Sequence, residues 1–160
     1  MRSLIIILIS FVFLFACTTV EKPMNPEEKA EIKATITELF DTITAEILAL
    51  DFEGLLSHYK LDENFSTIMD GVITIGGDTV KERVDESSDY IKEFIHFEFP
   101  DFHIIVLDRD LALVMGLFNQ IYVTSAYDTL RINATNSYLL QLEDTGWKIS
   151  HATGMHKMAE

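Results

Sequence analysis

The sequence has a single cysteine, Cys17, among its 160 residues. An intramolecular disulfide needs two cysteines, and a thiolate metal cluster needs several. The folded chain therefore has to be held together by its apolar core. The length is sufficient for one domain with such a core and leaves no room for a second.

Basic residues are also scarce, with 12 Lys and Arg against 26 Asp and Glu, which gives a formal charge of −14. A surface of this sign repels phosphate groups. We therefore expect no nucleic acid as a partner, and no docking of the folded surface on anionic lipid.

The histidines are few and scattered, at positions 58, 96, 103, 151 and 156. No His-x-x-x-His spacing, phosphate loop, dinucleotide fingerprint or Gly-x-Ser-x-Gly element is found. His151 and His156 lie five apart on an extended segment, so their side chains should point to opposite faces. We predict neither a metal site nor a cofactor.

The amino terminus reads as a targeting segment: Arg2 precedes an apolar run at residues 4–15 that only Ser10 interrupts. The run is shorter than the roughly 20 residues of a membrane span and is typical of a signal peptide. It ends in LFAC at residues 14–17, which resembles the bacterial lipobox. That resemblance implies cleavage before Cys17, acylation of Cys17, and stable anchoring by several acyl chains. The alternative is an ordinary secretory signal with an incidental cysteine.

The predicted domain organisation follows. Residues 1–16 are a lipoprotein signal peptide, residues 17–26 are the lipidated cysteine and an extended tether, and residues 27–160 form one domain. Without the signal peptide the formal charge becomes −15, because only Arg2 is lost. The predicted location is the bacterial cell envelope, with the protein lipid-anchored to a membrane and either periplasmic or surface-exposed.

The domain begins with helical patterns. Asn25 as N-cap and Pro26 in the first turn predict a helix start, and apolar residues then recur at helical spacing up to Leu50. Asp51 predicts the cap of a second, shorter helix over residues 52–59. These patterns predict two consecutive helices, of which the first is about six turns long.

Two brief strands, at residues 64–69 and 72–75, are predicted around a tight turn at Asp70 and Gly71. Asp70 is interpreted as a turn residue. A third helix is predicted from Thr79, with Glu82 completing a capping box.

From Ile95 the apolar period becomes two, and long strands follow. The strand at residues 111–124 is apolar on both faces in its first half and is therefore expected to be covered on both sides. The fold class is therefore α+β: three helices from the N-terminal half packed in a curved mixed or antiparallel sheet. In the strand at residues 129–143 the polar set is predicted to face solvent. In the last strand one inward-facing set is predicted: Trp147, Ile149, His151, Thr153 and Met155.

This order of elements, with LDFEGLL at residues 50–56 and GWKISH at residues 146–151, resembles the nuclear transport factor 2-like superfamily in its SnoaL-like branch. The resemblance covers residues 27–156. It implies a sheet curled into a cone whose mouth admits a ligand, in a family with isomerases, dehydratases, polyketide cyclases and modules that only bind or assemble. Many relatives carry a second histidine at the position of Thr153, and this departure argues against a paired-histidine site.

Polar residues on apolar strand faces are the candidates for chemistry. His151 is predicted as a general base, with Tyr138 or Asn136 donating to a developing oxyanion. The alternative interpretation is that they are hydrogen-bonded core residues. Residues predicted to contact a ligand are Asn136, Tyr59, Asn119, Tyr122, Trp147 and Thr153.

Three functions remain open. The first is a lipid-anchored domain that binds a small apolar ligand or a protein partner without turnover. The second is an isomerase or dehydratase that uses His151 as its base. The third is a dimeric scaffold in which the outer sheet face pairs two copies and the cone is filled by its own side chains.

Overall fold

The computed structural model describes residues 23–158, so the predicted signal peptide, Cys17 and most of the tether lie outside the described residues. The elements in chain order are α1 Pro26–Ala49, α2 Phe52–Ser57, β1 Ser66–Met69, β2 Val72–Ile75, α3 Gly77–Tyr90, β3 Ile91–Asp108, β4 Leu111–Thr124, β5 Thr129–Glu143 and β6 Gly146–Met158. Three helices in the N-terminal half and long strands after them confirm the predicted α+β class.

The start of α1 is confirmed in detail. The side chain of Asn25 accepts a hydrogen bond from the backbone N–H of Glu28 at 2.9 Å, and the carboxylate of Glu28 accepts one from the N–H of Asn25 at 2.8 Å. Pro26 occupies the first helical position, where its missing N–H costs nothing. The helix ends at Leu50 in the left-handed region (φ 58°), and Asp51 then caps α2.

The third helix begins earlier than predicted. It starts at Gly77 with Gly76 as its N-cap and no side-chain cap, so the predicted capping box from Thr79 to Glu82 is wrong. Gly76 turns the chain from β2 into α3 with φ 89°, a conformation that glycine adopts readily. The helix ends at Tyr90 and runs directly into β3, so the strand begins at Ile91, before the predicted Ile95.

The six strands form one sheet in the order β2-β1-β6-β5-β4-β3. All neighbouring pairs are antiparallel except β1 and β6, which are parallel. The sheet is therefore mixed, and the hairpin from the first half of the chain is held by the last strand.

The inner face of the sheet packs against α1. Phe40 lies at the centre, with ring centroids 5.2 Å from Phe99, 5.7 Å from Phe102 and 5.4 Å from Tyr138. Leu140 and Trp147 are buried in the same core. The space between α1 and this part of the sheet is thus filled by the protein's own side chains.

One extra residue in β6 changes which side chains point inward. Leu140 lies opposite Ile149 and Leu139 lies opposite His151, so Ser150 is left without a partner on β5, and its hydroxyl donates to the carbonyl of Leu139 at 3.1 Å. Such a bulge reverses the alternation of the strand beyond it.

The bulge overturns part of a prediction. Trp147 and Ile149 face the helices as expected, but the residues after the bulge that were assigned to the same face lie on the outer face instead: His151, Thr153 and Met155. The alternation predicted for β5 is confirmed, with Ala134, Asn136, Tyr138 and Leu140 buried.

The outer face of the sheet carries apolar side chains that no other described element covers. Met115 and Leu117 in β4 are exposed, whereas Ala112 and Val114 on the inner face are buried. Within residues 23–158 the prediction that β4 is covered on both faces is therefore wrong. In the same part of the chain, no helix is long and apolar enough to cross a membrane.

Candidate functional site

The residues predicted from the sequence are divided between the two faces of the sheet. On the inner side lie Tyr138, Asn136, Tyr59, Tyr122 and Trp147, and on the outer side lie His151, Asn119 and Thr153. The structure joins Tyr138 and Asn136 by a hydrogen bond, and Tyr59 lies near Tyr138 in the same core. His151 does not converge with them, because the sheet lies between their side chains.

His151 has its own partner on the outer face. Its Nδ1 lies 2.8 Å from the hydroxyl of Ser66, the residue opposite it in β1. Its role as a general base stays a prediction, but the two groups that were to assist it point to the other side of the sheet.

Tyr138 and Asn136 form a buried pair. The atom placed as the amide nitrogen of Asn136 lies 2.5 Å from the hydroxyl oxygen of Tyr138. This separation is short for N–H···O, which is normally 2.7–3.2 Å, and fits O–H···O. Because amide O and N are assigned from hydrogen bonding alone, we assign the amide oxygen to the Tyr138 side, where it accepts from the hydroxyl.

The other polar atom of the Asn136 amide has no hydrogen-bond partner among the described residues, although Asn136 is only 7% exposed. Either orientation of the amide leaves one atom unpaired. With the oxygen on Tyr138, the unpaired atom is a nitrogen with N–H groups to donate. Burial raises the pKa of Tyr138 to about 12, so its hydroxyl keeps its proton near neutral pH.

The unpaired amide atom lies over Gly154 of β6, the residue opposite Asn136. A Cβ atom at Gly154 would collide with this atom and would lie 3.1 Å from the sulfur of Met69. Glycine is therefore required here because the Asn136 side chain occupies the space above it.

A second polar pair, Asp70 and His156, lies beside the first. Asp70 accepts a hydrogen bond from the backbone N–H of His156 at 2.7 Å, and its other oxygen lies 2.8 Å from Nδ1 of His156. Both hydrogen bonds hold the pKa of Asp70 below its usual value, and the bond from the backbone N–H of His156 contributes most. Asp70 is thus a carboxylate that anchors the imidazole ring.

The β1–β2 turn positions Asp70. Asp70 and Gly71 both have positive φ, 53° and 81°, as the tightest kind of two-residue hairpin requires. The N–H of Asp70 donates to the carbonyl of Gly154 at 3.1 Å. The turn residue predicted at position 70 is confirmed, and the turn directs its carboxylate onto β6.

The two polar pairs are neighbours on the inner face. His156 lies opposite Ala134, one inner-face position along β5 from Asn136. Diagonal neighbours of this kind have Cβ atoms about 7–8 Å apart or slightly less. The ring of His156 also contacts Phe118, with centroids 5.7 Å apart. An imidazole, a buried amide and an aromatic wall therefore share one area, which we call the His156 site.

The other inner-face candidates do not reach this area. Tyr122 lies opposite Leu130 near one end of β5, and Trp147 lies opposite Leu142 near the other. Tyr59 packs against Phe65, and burial raises its pKa. For metal binding, residues 23–158 contain no group of three or more His, Cys, Asp or Glu side chains placed to hold an ion.

No family model matches the sequence, and no curated protein matches it either. Solved structures do match the fold. A nuclear transport factor 2-like superfamily protein from Salmonella enterica is 15% identical with a TM-score of 0.71, over 82% of this chain and 94% of that one.

Two further structures show the same likeness. A ketosteroid isomerase-like protein from Erwinia carotovora is 15% identical with a TM-score of 0.65, over 83% of this chain and 98% of its own. A hexachlorocyclohexane dehydrochlorinase from Novosphingobium barchaimii is 14% identical with a TM-score of 0.67, over 85% of this chain and 92% of its own. Identities this low show the fold alone, and on that ground the chain has the cone-shaped fold of nuclear transport factor 2-like proteins.

Proposed function

We propose that this protein is a lipid-anchored interaction domain of the bacterial cell envelope that pairs with a second copy through the outer face of its sheet. The observation that carries the proposal is the exposed apolar surface on that face. Among the functions left open by the sequence, this combines binding of a protein partner without turnover with the dimeric scaffold.

The outer patch consists of Ile68, Ile73, Ile105, Met115, Leu117 and Met155, all of them exposed. The strand register places them in neighbouring rows; one row runs from Met115 through Ser137 and Thr153 to Ile68. Larger groups of exposed apolar side chains, especially those with polar residues around them, mark interaction sites. An exposed sheet face of this kind can meet its own copy around a two-fold axis.

Charge favours this face for contact between copies. The mature chain has a formal charge of −15, so most approaches of two copies are repulsive. The six side chains of the outer patch are apolar, and the carboxylate of Asp101, which lies opposite Leu117 on the same face, is 3.6 Å from the imidazole of His103. Contact across the patch therefore buries apolar groups with few carboxylates among them.

The inner face gives little support to the alternative of an enzyme that uses His151 as its base. Phe40, Leu140 and Trp147 fill the core beneath α1, and His151 lies on the outer face. The activities in the names of the isomerase-like and dehydrochlorinase structures are those of the compared proteins and carry no argument for this chain. An isomerase or dehydratase that uses His151 stays an alternative that no contact of His151 favours.

Leu117→Glu tests the pairing. Leu117 is 46% exposed, and a carboxylate at this position would lose its hydration when two copies meet. We expect the dimer dissociation constant to rise at least about tenfold, which corresponds to about 1.4 kcal/mol. Sedimentation velocity of the full-length chain in density-matched detergent measures this.

Leu48→Glu is the matched control, because Leu48 is 42% exposed on α1 and the substitution adds the same charge. It should leave the dissociation constant unchanged. A monomeric parent chain, or equal effects of the two variants, would contradict the proposal.

Cys17→Ser tests the anchor. In bacterial cells grown with labelled palmitate, we expect the parent chain to carry the label and the variant to carry none, because only a thiol at this position accepts the lipid. Ala16→Gly keeps a small residue before the cysteine and should retain the label. Label on the Cys17→Ser chain, or an unlabelled parent, would exclude lipid anchoring at Cys17.

A further inference from the structure

We propose that the two copies meet about a two-fold axis that runs along β5, so that Met115 of each copy enters a hollow above Thr153 of the other. This inference rests on the proposed pairing through the outer patch, and it names the residues that meet there. Three features of the outer face lead to it: a hollow, a ridge beside the hollow, and a lysine whose ammonium group is unpaired.

The hollow lies on the outer face of the sheet, over β6. It has a volume of about 340 Å³, and the small hydroxyl side chains of Ser137 and Thr153 are part of its lining. Ile68 of β1 and Met155 of β6 also line it. In the strand register Thr153 lies between Ser137 and Ile68, so Thr153 marks the centre of the hollow.

The ridge consists of Met115 and Leu117 of β4, two longer apolar side chains that are both exposed. Met115 lies opposite Ser137 of β5, and Ser137 lies opposite Thr153 of β6. The ridge and the centre of the hollow are therefore on the two strands that flank β5. Each is one strand spacing, about 4.8 Å, from β5.

Symmetry and shape determine the direction of the axis. Sheets that pack face to face with aligned strands keep their directions within about 30° of each other, so the axis runs either across the strands or along them. An axis across the strands places ridge on ridge and hollow on hollow, which leaves the hollow empty. An axis along β5 places the ridge of each copy over the hollow of the other, as the self-complementary surface of a two-fold pair requires.

This axis also fixes which residues meet. A rotation about a line along β5 exchanges the positions of β4 and β6 and keeps each residue at its level along the strands. Met115 then lies over Thr153 of the second copy, and Leu117 lies over Met155. Ser137 lies on the axis and faces Ser137 of the second copy.

Charges beyond the patch agree with the same axis. Lys157 of β6 lies opposite Asn133, which lies opposite Asn119 of β4. The axis therefore carries Lys157 over Asn119 of the second copy, whose amide donates to the carboxylate of Glu98 at 3.3 Å. The long side chain of Lys157 can then reach this carboxylate, so opposite charges meet where most approaches of two copies bring like charges together.

A single copy cannot make this contact. Within one copy Lys157 and Glu98 are on β6 and β3, three strand spacings or about 14 Å apart. The ammonium group of Lys157 makes no ion pair or hydrogen bond within residues 23–158. Solvation of a surface lysine explains this in a lone copy, and the exchange of charges described below separates the two explanations.

Cysteine substitutions test the axis. We expect the double variant Met115→Cys/Thr153→Cys of the full-length chain to give a covalent dimer with a short bismaleimide, detected by denaturing electrophoresis. The single variants Met115→Cys and Thr153→Cys should give no more dimer than the parent, whose one cysteine is Cys17. The reason is that an axis along β5 keeps identical residues of β4, and of β6, on opposite sides of it.

The outcomes separate this inference from the pairing itself. A dimer from Met115→Cys alone, at the level of the double variant, would show an axis across the strands and overturn the inference while the pairing stands. A parent that sediments as a dimer but gives no bridged dimer in the double variant would overturn it as well. A monomeric parent would remove both the pairing and the inference.

The exchange of charges is the second test. Lys157→Glu places two carboxylates together at each of two symmetric positions, and it should raise the dimer dissociation constant at least about threefold. Adding Glu98→Lys to the same chain should restore the parent value. Lys29→Glu is the matched control, because it makes the same change of charge on the exposed side of α1, and it should have a smaller effect. An equal effect of the control, or no restoration by Glu98→Lys, would overturn the contact.

Discussion

Replacing Leu140 by alanine should lower the free energy of unfolding by about 2–5 kcal/mol. Leu140 is fully buried, at 0% exposure, in the second half of β5. Its neighbours across the sheet are Ala112 on β4 and Ile149 on β6. Removing its three outer carbons leaves a cavity beneath α1 that rigid strands on both sides cannot close.

Leu142→Ala is the matched control, because it makes the same change two residues along the same strand at a side chain that is 46% exposed. Its effect should stay below about 1 kcal/mol. Urea denaturation followed by the fluorescence of Trp147, the one tryptophan, measures both. Similar losses in the two variants would show that Leu140 is not a core residue.

Replacing Gly77 by alanine should destabilise the fold by about 1–3 kcal/mol through overpacking. Gly77 is buried at the start of α3, and a Cβ atom there would collide with the backbone of Leu61. Backbone atoms cannot move aside as a side chain can. The N–H of Gly77 also donates to the carbonyl of Asp62 at 2.9 Å, which holds the helix against this loop.

The change in free energy of unfolding of Gly77→Ala can be compared with that of Glu86→Ala, at an exposed position of the same helix. The control should lie within about 0.5 kcal/mol of the parent. A value for Gly77→Ala as small as that of the control would mean that α3 shifts away from Leu61 without loss.

The elements that sequence reasoning placed well are those with local signals. The start of α1 depends on Asn25, Pro26 and Glu28, which act on each other within one turn. The hairpin turn depends on Asp70 and Gly71, which together adopt positive φ. Such signals need no knowledge of the rest of the fold, and α3 was misplaced where the signal at Thr79 competed with contacts between Gly77 and distant residues.

The inner and outer faces of β6 could not be predicted in the same way. The alternation of the strand is reversed at Ser150, and this depends on how Leu139 and Leu140 of β5 align with it. No residue near Ser150 signals the change. The alternation of the sequence therefore assigned His151 to the wrong face of β6.

The same limit explains why the His156 site was missed. Tyr138 and Asn136 interrupt an apolar face and were recognised from that pattern. Asp70 and His156 are 86 residues apart and meet only because β1 lies parallel to β6. Nothing in the spacing of the chain indicates a parallel pair of strands so far apart.

The sheet order also determines when folding can be completed. Because β1 bonds to β2 and β6, the hairpin synthesised early has no further strand to join until the last thirteen residues of the sheet, Gly146–Met158, are present. Pairings across so long a separation form slowly. A chain with this order that crosses a membrane from its amino terminus stays incomplete during transit, and its fold closes only after its carboxyl end has arrived on the far side.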